Sequence, residues 1–163
     1  MSKDFSANGL RLGAIVTRNK ALYSALCTIS PFAWPSAPAD LLWASMLDDR
    51  KWLDNYFSES RKRLSEAYVV LTAVLDHYGI PYTKGGNAGF FLWCDFGFAL
   101  GDDDSEGDAK ARDKKLNRKL IKGGIYLSNS EAFHSETPGW YRVTFSCTME
   151  VLVLGLKRYG LLS

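Results

Sequence analysis

The longest regular pattern in this sequence is helical, and it limits the available folds more than any other feature. Across residues 37–78 apolar side chains fall at helical spacing. In the second half Leu53, Phe57, Leu64, Tyr68, Leu71, Leu75 and Tyr78 recur at threes, fours and their sums, with Arg61, Lys62 and Arg63 between them. The spacing predicts a long amphipathic helix with a break near Asp48 and Asp49. Gly79 suits its C-terminal cap, and Pro81 forbids its continuation. This helix joins two unequal pieces. Residues 1 to about 30 hold too little apolar surface to form a domain alone, and beyond Gly79 the composition changes to short strand-like runs.

In the first piece, Asn8 and Gly9 make a turn that opens an apolar run at residues 13–16. This run reads as a strand with Arg11 near its start. Residues 19–29 have a helical pattern, which Pro31 and Pro35 break into a connection. After Gly79, strand-like runs at 82–84 and 90–94 flank a Gly85-Gly86-Asn87 turn. Residues 108–122 read as a helix with Ala109, Leu116 and Leu120 inward and Gly123 closing it. A strand is expected at 125–127, another at 140–145, and a last helix capped by Thr148 carries Met149, Leu152, Val153, Leu156 and Tyr159. Strands alternating with helices make the class mixed α/β.

Composition narrows the function. With 163 residues, 47% hydrophobic and 23% charged, the chain has the balance of one ordinary globular domain. Its 20 basic and 18 acidic residues leave a net charge of +2, so no global field recruits nucleic acid or an anionic membrane. The longest apolar runs fall far short of the roughly 20 residues a membrane-spanning helix needs. Met1-Ser2-Lys3-Asp4 lacks the apolar core of a signal peptide, so a cytoplasmic location is expected. Cys27, Cys94 and Cys147 are widely spaced in apolar contexts, which predicts reduced, buried thiols and no disulfide framework or zinc site.

Two segments carry chemistry. In Ser2-Lys3-Asp4-Phe5 followed by Gly9-Leu10-Arg11-Leu12-Gly13, a lysine and an arginine stand eight residues apart across a glycine turn. An unprotonated lysine amine condenses with aldehydes, and a guanidinium offers a phosphate a fixed, always-charged fork. Far downstream, Pro138-Gly139-Trp140-Tyr141-Arg142-Val143 places an arginine on a strand among aromatic residues, where packing can hold it for a planar carboxylate. Taken singly, Lys3 and Arg11 also read as solvated side chains, and Arg142 as a structural ion pair.

Together these segments resemble the class I/II (fold type I) aminotransferase superfamily of pyridoxal 5'-phosphate enzymes. There a Ser-Lys pair precedes a glycine-apolar-arginine-apolar-glycine strand, and a Pro-Gly-Trp-aromatic-Arg run opens a late strand. Gly86-Asn87-Ala88-Gly89-Phe90-Phe91 is similar to the strand that begins the superfamily's small domain. Within the superfamily the likeness is to 1-aminocyclopropane-1-carboxylate synthase and related fungal enzymes. It covers essentially the whole chain, starting two residues before the lysine.

The resemblance implies the C-terminal portion of the transferase fold. Residues 1–34 would be the end of a large cofactor-binding domain, 35–79 connecting helices, and 80–163 a small α/β domain. It implies pyridoxal phosphate as cofactor, held by Lys3 and Arg11, with Lys3 also the catalytic base and acid. Arg142 would bind the α-carboxylate of an amino acid, with Asn87 and Ala88 facing the substrate. For those last two, a turn leading into a buried strand is an equal reading. A homodimer is expected, and transamination, elimination with ring closure and carbon–sulfur lysis all stay open.

The sequence departs from the pattern at Leu127-Ser128-Asn129-Ser130, where relatives carry a proline-glycine pair after the serine. The acidic partner of the pyridine nitrogen, the asparagine and tyrosine at the phenolic oxygen, the glycine-rich phosphate loop and a serine three before the lysine would all precede residue 1. The 163 residues alone are therefore expected to be a weak catalyst or none. The alternative expectation is a truncated, inactive product that serves at most as an interaction module, with exposed apolar surface on residues 5–34.

Three other signals favour plainer readings. Asp102, Asp104, Glu106 and Gly107, with Asp113 at the twelfth place, fall near EF-hand spacing but lack the terminal glutamate, and read as a solvated acidic loop. The basic run from Lys110 to Lys122 lacks interleaved aromatic residues and reads as a solvated helix face. His77 and His134 share no ligand spacing with a cysteine or an acid, so no metal is expected.

Overall fold

Helices begin in this protein where the sequence supplies a cap. In the computed structural model, which describes residues 1–100, 108–135 and 137–158, the side chain of Asn19 accepts the Leu22 amide at 3.1 Å and starts α1 (Lys20–Ile29). Pro38, in the first turn, starts α2 (Ala37–Asp48). At the expected break, Asp49 leaves helical geometry and its carboxylate accepts the Trp52 amide at 2.9 Å, which opens the 28-residue α3 (Arg50–His77). Gly79, at φ 65°, closes that helix while Ile80 donates back to the Leu75 carbonyl at 2.8 Å.

The chain forms two compact units, Met1–Ser58 and Glu59–Ser163, and α3 contributes to both. In the first unit, Phe5 is ringed by aromatic side chains, with centroids 5.2 Å from Trp43 and from Tyr56, 5.3 Å from Phe57 and 6.3 Å from Trp52. Leu53 and Ala39 are buried there. The strand expected at residues 13–16 does not form: none of its backbone groups pairs with another strand among the described residues, and Ile15 and Val16 are 72% and 96% exposed. A strand exists only where a neighbour takes its hydrogen bonds. Arg11 is instead the left-handed residue, at φ 53°, that ends a 3-10 turn over Asn8–Leu10.

The second unit is built on a three-stranded antiparallel sheet in the order β1 (Phe91–Asp95), β3 (Trp140–Thr144), β2 (Ser128–Asn129). One face of this sheet carries Leu92, Cys94 and Tyr141, buried against Leu71 and Leu75 of α3, Leu116 and Leu120 of α4 (Ala109–Lys122), and Leu152 and Leu156 of α5 (Met149–Arg158). Asp108 caps α4 by accepting the Ala111 amide at 2.8 Å, and Thr148 accepts the Val151 amide at the start of α5 at 3.4 Å.

The strand expected at 125–127 is displaced to Ser128–Asn129. The Ile125 amide is committed to the Leu120 carbonyl at 2.9 Å as part of the α4 cap, over Gly124 at φ 78°. The run at 82–84 contributes a single bridge, Tyr82 to Cys94. The thiols are a further correction: Cys94 is buried, but Cys27 and Cys147 are exposed because their helix and turn positions face outward. The EF-hand-like positions 102–107 lie outside the described residues.

Candidate active site

The segment holding Lys3 is a turn pinned by its neighbours. Phe5 is enclosed as described, its amide donates to the Met1 carbonyl at 3.0 Å, and the Tyr56 hydroxyl donates to the Asp4 carbonyl at 3.1 Å. The side chain of Lys3 is exposed on that turn. Arg11 is also exposed, and one Nη donates to the Asn8 carbonyl at 3.1 Å, which leaves most of its five donors facing outward. An amine and a guanidinium on one short anchored segment are the donor set an aldehyde-bearing phosphate ester requires, so pyridoxal phosphate fits their chemistry. The anchor itself, Phe5, escaped sequence reasoning; its apolar type beside the charged pair was the available signal.

Arg142 lies in the second unit, at the middle of β3, opposite Trp93 on one side and Ser128 on the other. It projects from the sheet face opposite the core. Its guanidinium carbon stands 4.2 Å from the ring centre of Phe91 and 4.4 Å from that of Phe133. The Nε is buried and has no hydrogen-bond partner among the described residues. A buried donor without a partner is rare enough to demand an explanation, and a ligand carboxylate supplies one. Among the described residues no salt bridge includes Arg142.

Asn87 and Ala88 are exposed and line a cavity of about 510 Å³ with Arg61, Tyr68 and Phe91. Phe91 thus links this cavity to Arg142, since its ring also lies under the guanidinium. The cavity wall supplied by α3 was not foreseen.

The residue that sequence reasoning misread is Asp113, which is only 3% exposed. Its carboxylate accepts the Gly139 amide at 3.1 Å and the Asn129 side-chain amide at 3.4 Å, and its carbonyl accepts the Tyr141 hydroxyl at 3.2 Å. Asp113 therefore ties α4 to β2 and to the start of the strand that carries Arg142. At that entry Gly139 has φ 88°, and a Cβ there would lie 2.8 Å from the Gly97 Cα. Among the described residues no three His, Cys, Asp or Glu side chains group to hold a metal, and no helix is long and apolar enough to cross a membrane.

Comparison with known proteins finds relatives over nearly the whole chain. The chain is 32% identical over 158 residues to human 1-aminocyclopropane-1-carboxylate synthase-like protein 1, covering 96% of this chain and 30% of that protein. It is 34% identical over 164 residues to 1-aminocyclopropane-1-carboxylate synthase 4 of Arabidopsis thaliana, covering 99% of this chain and 33% of that protein. The chain thus spans about a third of the length of these curated relatives. The fold superposes on the aromatic aminotransferase of Pyrococcus horikoshii with a TM-score of 0.74 at 19% identity, over 96% of this chain and 39% of that one. The family described as aminotransferase class I and II matches residues 1–158, and the chain belongs to that family.

Proposed function

We propose that the chain is the portion of a pyridoxal phosphate-dependent enzyme that carries the cofactor lysine and the substrate arginine, and that the enzyme acts on an α-amino acid in the cytoplasm as a homodimer. The supporting observation is the guanidinium of Arg142, with two ring centres 4.2 and 4.4 Å from its carbon and its Nε buried without a hydrogen-bond partner among the described residues. Lys3 Nζ would hold the cofactor aldehyde and would also serve as the base and acid for the proton at the substrate α-carbon. Arg11 holds the phosphate. Arg142 would bind the α-carboxylate, and Asn87 and Ala88 would face the substrate. The bound cofactor supplies the electron sink that makes those bonds labile.

The test is to add pyridoxal phosphate to the protein, reduce with borohydride and map the modified peptide by mass spectrometry. Label on Lys3, lost in Lys3→Ala, is expected; label distributed over surface lysines and unchanged in Lys3→Ala sinks the proposal. L-Alanine added to the loaded protein should perturb the visible absorption of the cofactor, and Arg142→Gln should weaken that response about 100-fold, the loss of a charge-assisted bidentate contact.

A second reading, a non-catalytic interaction module, draws on one observation: α1 buries none of its residues, and Phe32 and Trp34 are 92% and 75% exposed. Failure of the labelling experiment with intact folding favours it.

A further inference from the structure

We infer that Phe91 and Phe133 are positioning residues for Arg142, which together restrict a carboxylate to approach in the plane of the guanidinium. This inference rests on the carboxylate-binding reading of Arg142. The ring centres lie 4.2 and 4.4 Å from the guanidinium carbon, one supplied by β1 and the other by the 3-10 turn Ser130–Phe133. With rings so close, the free directions for its donors are the edges of the plane. A guanidinium offers parallel N–H donors along such an edge, which is where a carboxylate can take two hydrogen bonds at once.

The two rings are themselves held. The edge of Phe133 meets Trp93 at a centroid distance of 5.5 Å and an interplanar angle of 87°, and Trp93 stacks on Trp140 at 6.2 Å and 23°. Phe91 leans on Phe90 at 4.2 Å. Trp93, Trp140 and Phe91 lie on the same sheet face as Arg142, because Trp93 pairs directly with Arg142 in the register. The Nε is buried beside these rings, and a less hydrated cation forms stronger contacts with an arriving anion. Phe133 closes the 3-10 turn that begins at Ser130, the last residue of the segment that departs from the family pattern, Leu127-Ser128-Asn129-Ser130. Its ring depends on a turn that ends with His134 in the left-handed region at φ 56°.

The experiment uses the full chain labelled with nitrogen-15, in the presence of pyridoxal phosphate, with L-alanine as the probe and L-alaninamide as the uncharged control. The Arg142 Nε–H resonance should lie upfield of the other arginines from the ring currents, and should move on adding L-alanine but not L-alaninamide. Phe133→Leu and Phe91→Leu should return the resonance toward the ordinary position and weaken L-alanine about tenfold each, the size of one cation–π contact. Phe133→Tyr should restore both.

Arg142→Gln separates the two readings. If that variant binds L-alanine like the parent, the carboxylate reading fails; if it loses binding while both leucine variants keep full affinity, only the positioning role fails. An Arg142 resonance at the ordinary position in the unsubstituted protein overturns the sandwich, whether or not the variants fold.

Discussion

Replacing Asp113 with alanine is expected to cost the protein about 2–4 kcal/mol of stability. The carboxylate is buried and accepts the Gly139 amide at 3.1 Å and, more weakly, the Asn129 side chain at 3.4 Å. A hydrogen bond to a charged acceptor contributes about 1.5–3 kcal/mol, and a buried amide left without an acceptor costs about 1–3 kcal/mol. Against these stands the desolvation of a charge that alanine removes, which lowers the net. Asp113→Asn keeps an acceptor for Gly139 and should cost about 1 kcal/mol, provided the Asn129 amide turns to present its oxygen. Urea unfolding followed by circular dichroism measures both. The alanine variant should show a lowered midpoint with an unchanged slope, and amide exchange at Gly139 should rise sharply. An alanine variant within about 0.5 kcal/mol of the parent, where ordinary surface substitutions fall, would refute the reasoning.

Gly139→Ala combines a left-handed backbone at φ 88° with a Cβ 2.8 Å from the Gly97 Cα, and should cost about 2–4 kcal/mol in the same assay. Tyr141→Phe removes the 3.2 Å bond to the Asp113 carbonyl and should cost about 1 kcal/mol. Burial pushes the Cys94 thiol up to about 12, so iodoacetamide at neutral pH should modify the exposed Cys27 and Cys147 and spare Cys94 until denaturant is added. Because the folded protein holds the Cys94 proton more tightly than the unfolded chain, its contribution is full below about pH 8.5 and declines as pH rises toward 12; Cys94→Ala should remove that part of the alkaline loss of stability. Val16→Lys with Phe32→Lys should reduce self-association in sedimentation without lowering the unfolding midpoint, since those side chains are 96% and 92% exposed.

The helices were legible because each carries its own signals. Asn19, Asp49, Asp108 and Thr148 each accept a hydrogen bond from an amide of the helix they begin, and Gly79 and Gly123 close others. The β1 and β3 strands were legible within a residue because short runs rich in aromatic and other apolar residues mark them. The misplaced strands share one cause. Whether residues 13–16 or 125–127 form a strand depends on which backbone groups are available elsewhere, and at Ile125 the helix cap takes the amide first. Asp113 could be read as one more charge on a basic helix because nothing local records the amide of Gly139 reaching it. Of the candidate site, the strand that carries Arg142 was legible from its flanks, whereas the rings near its guanidinium come from a separate strand and a separate turn. Spacing along the chain cannot report such a meeting.

The continuity of α3 has a mechanical consequence for dissecting this protein. The division between the two compact units falls at Ser58 and Glu59, inside an unbroken helix, where most domain boundaries fall in an extended linker. A protease needs several residues of extended chain, so cutting there requires turns of helix to melt first. Digestion should therefore nick exposed loops before it separates the units. A gene fragment that ends at residue 58 would sever a helix, leaving each half with a frayed end.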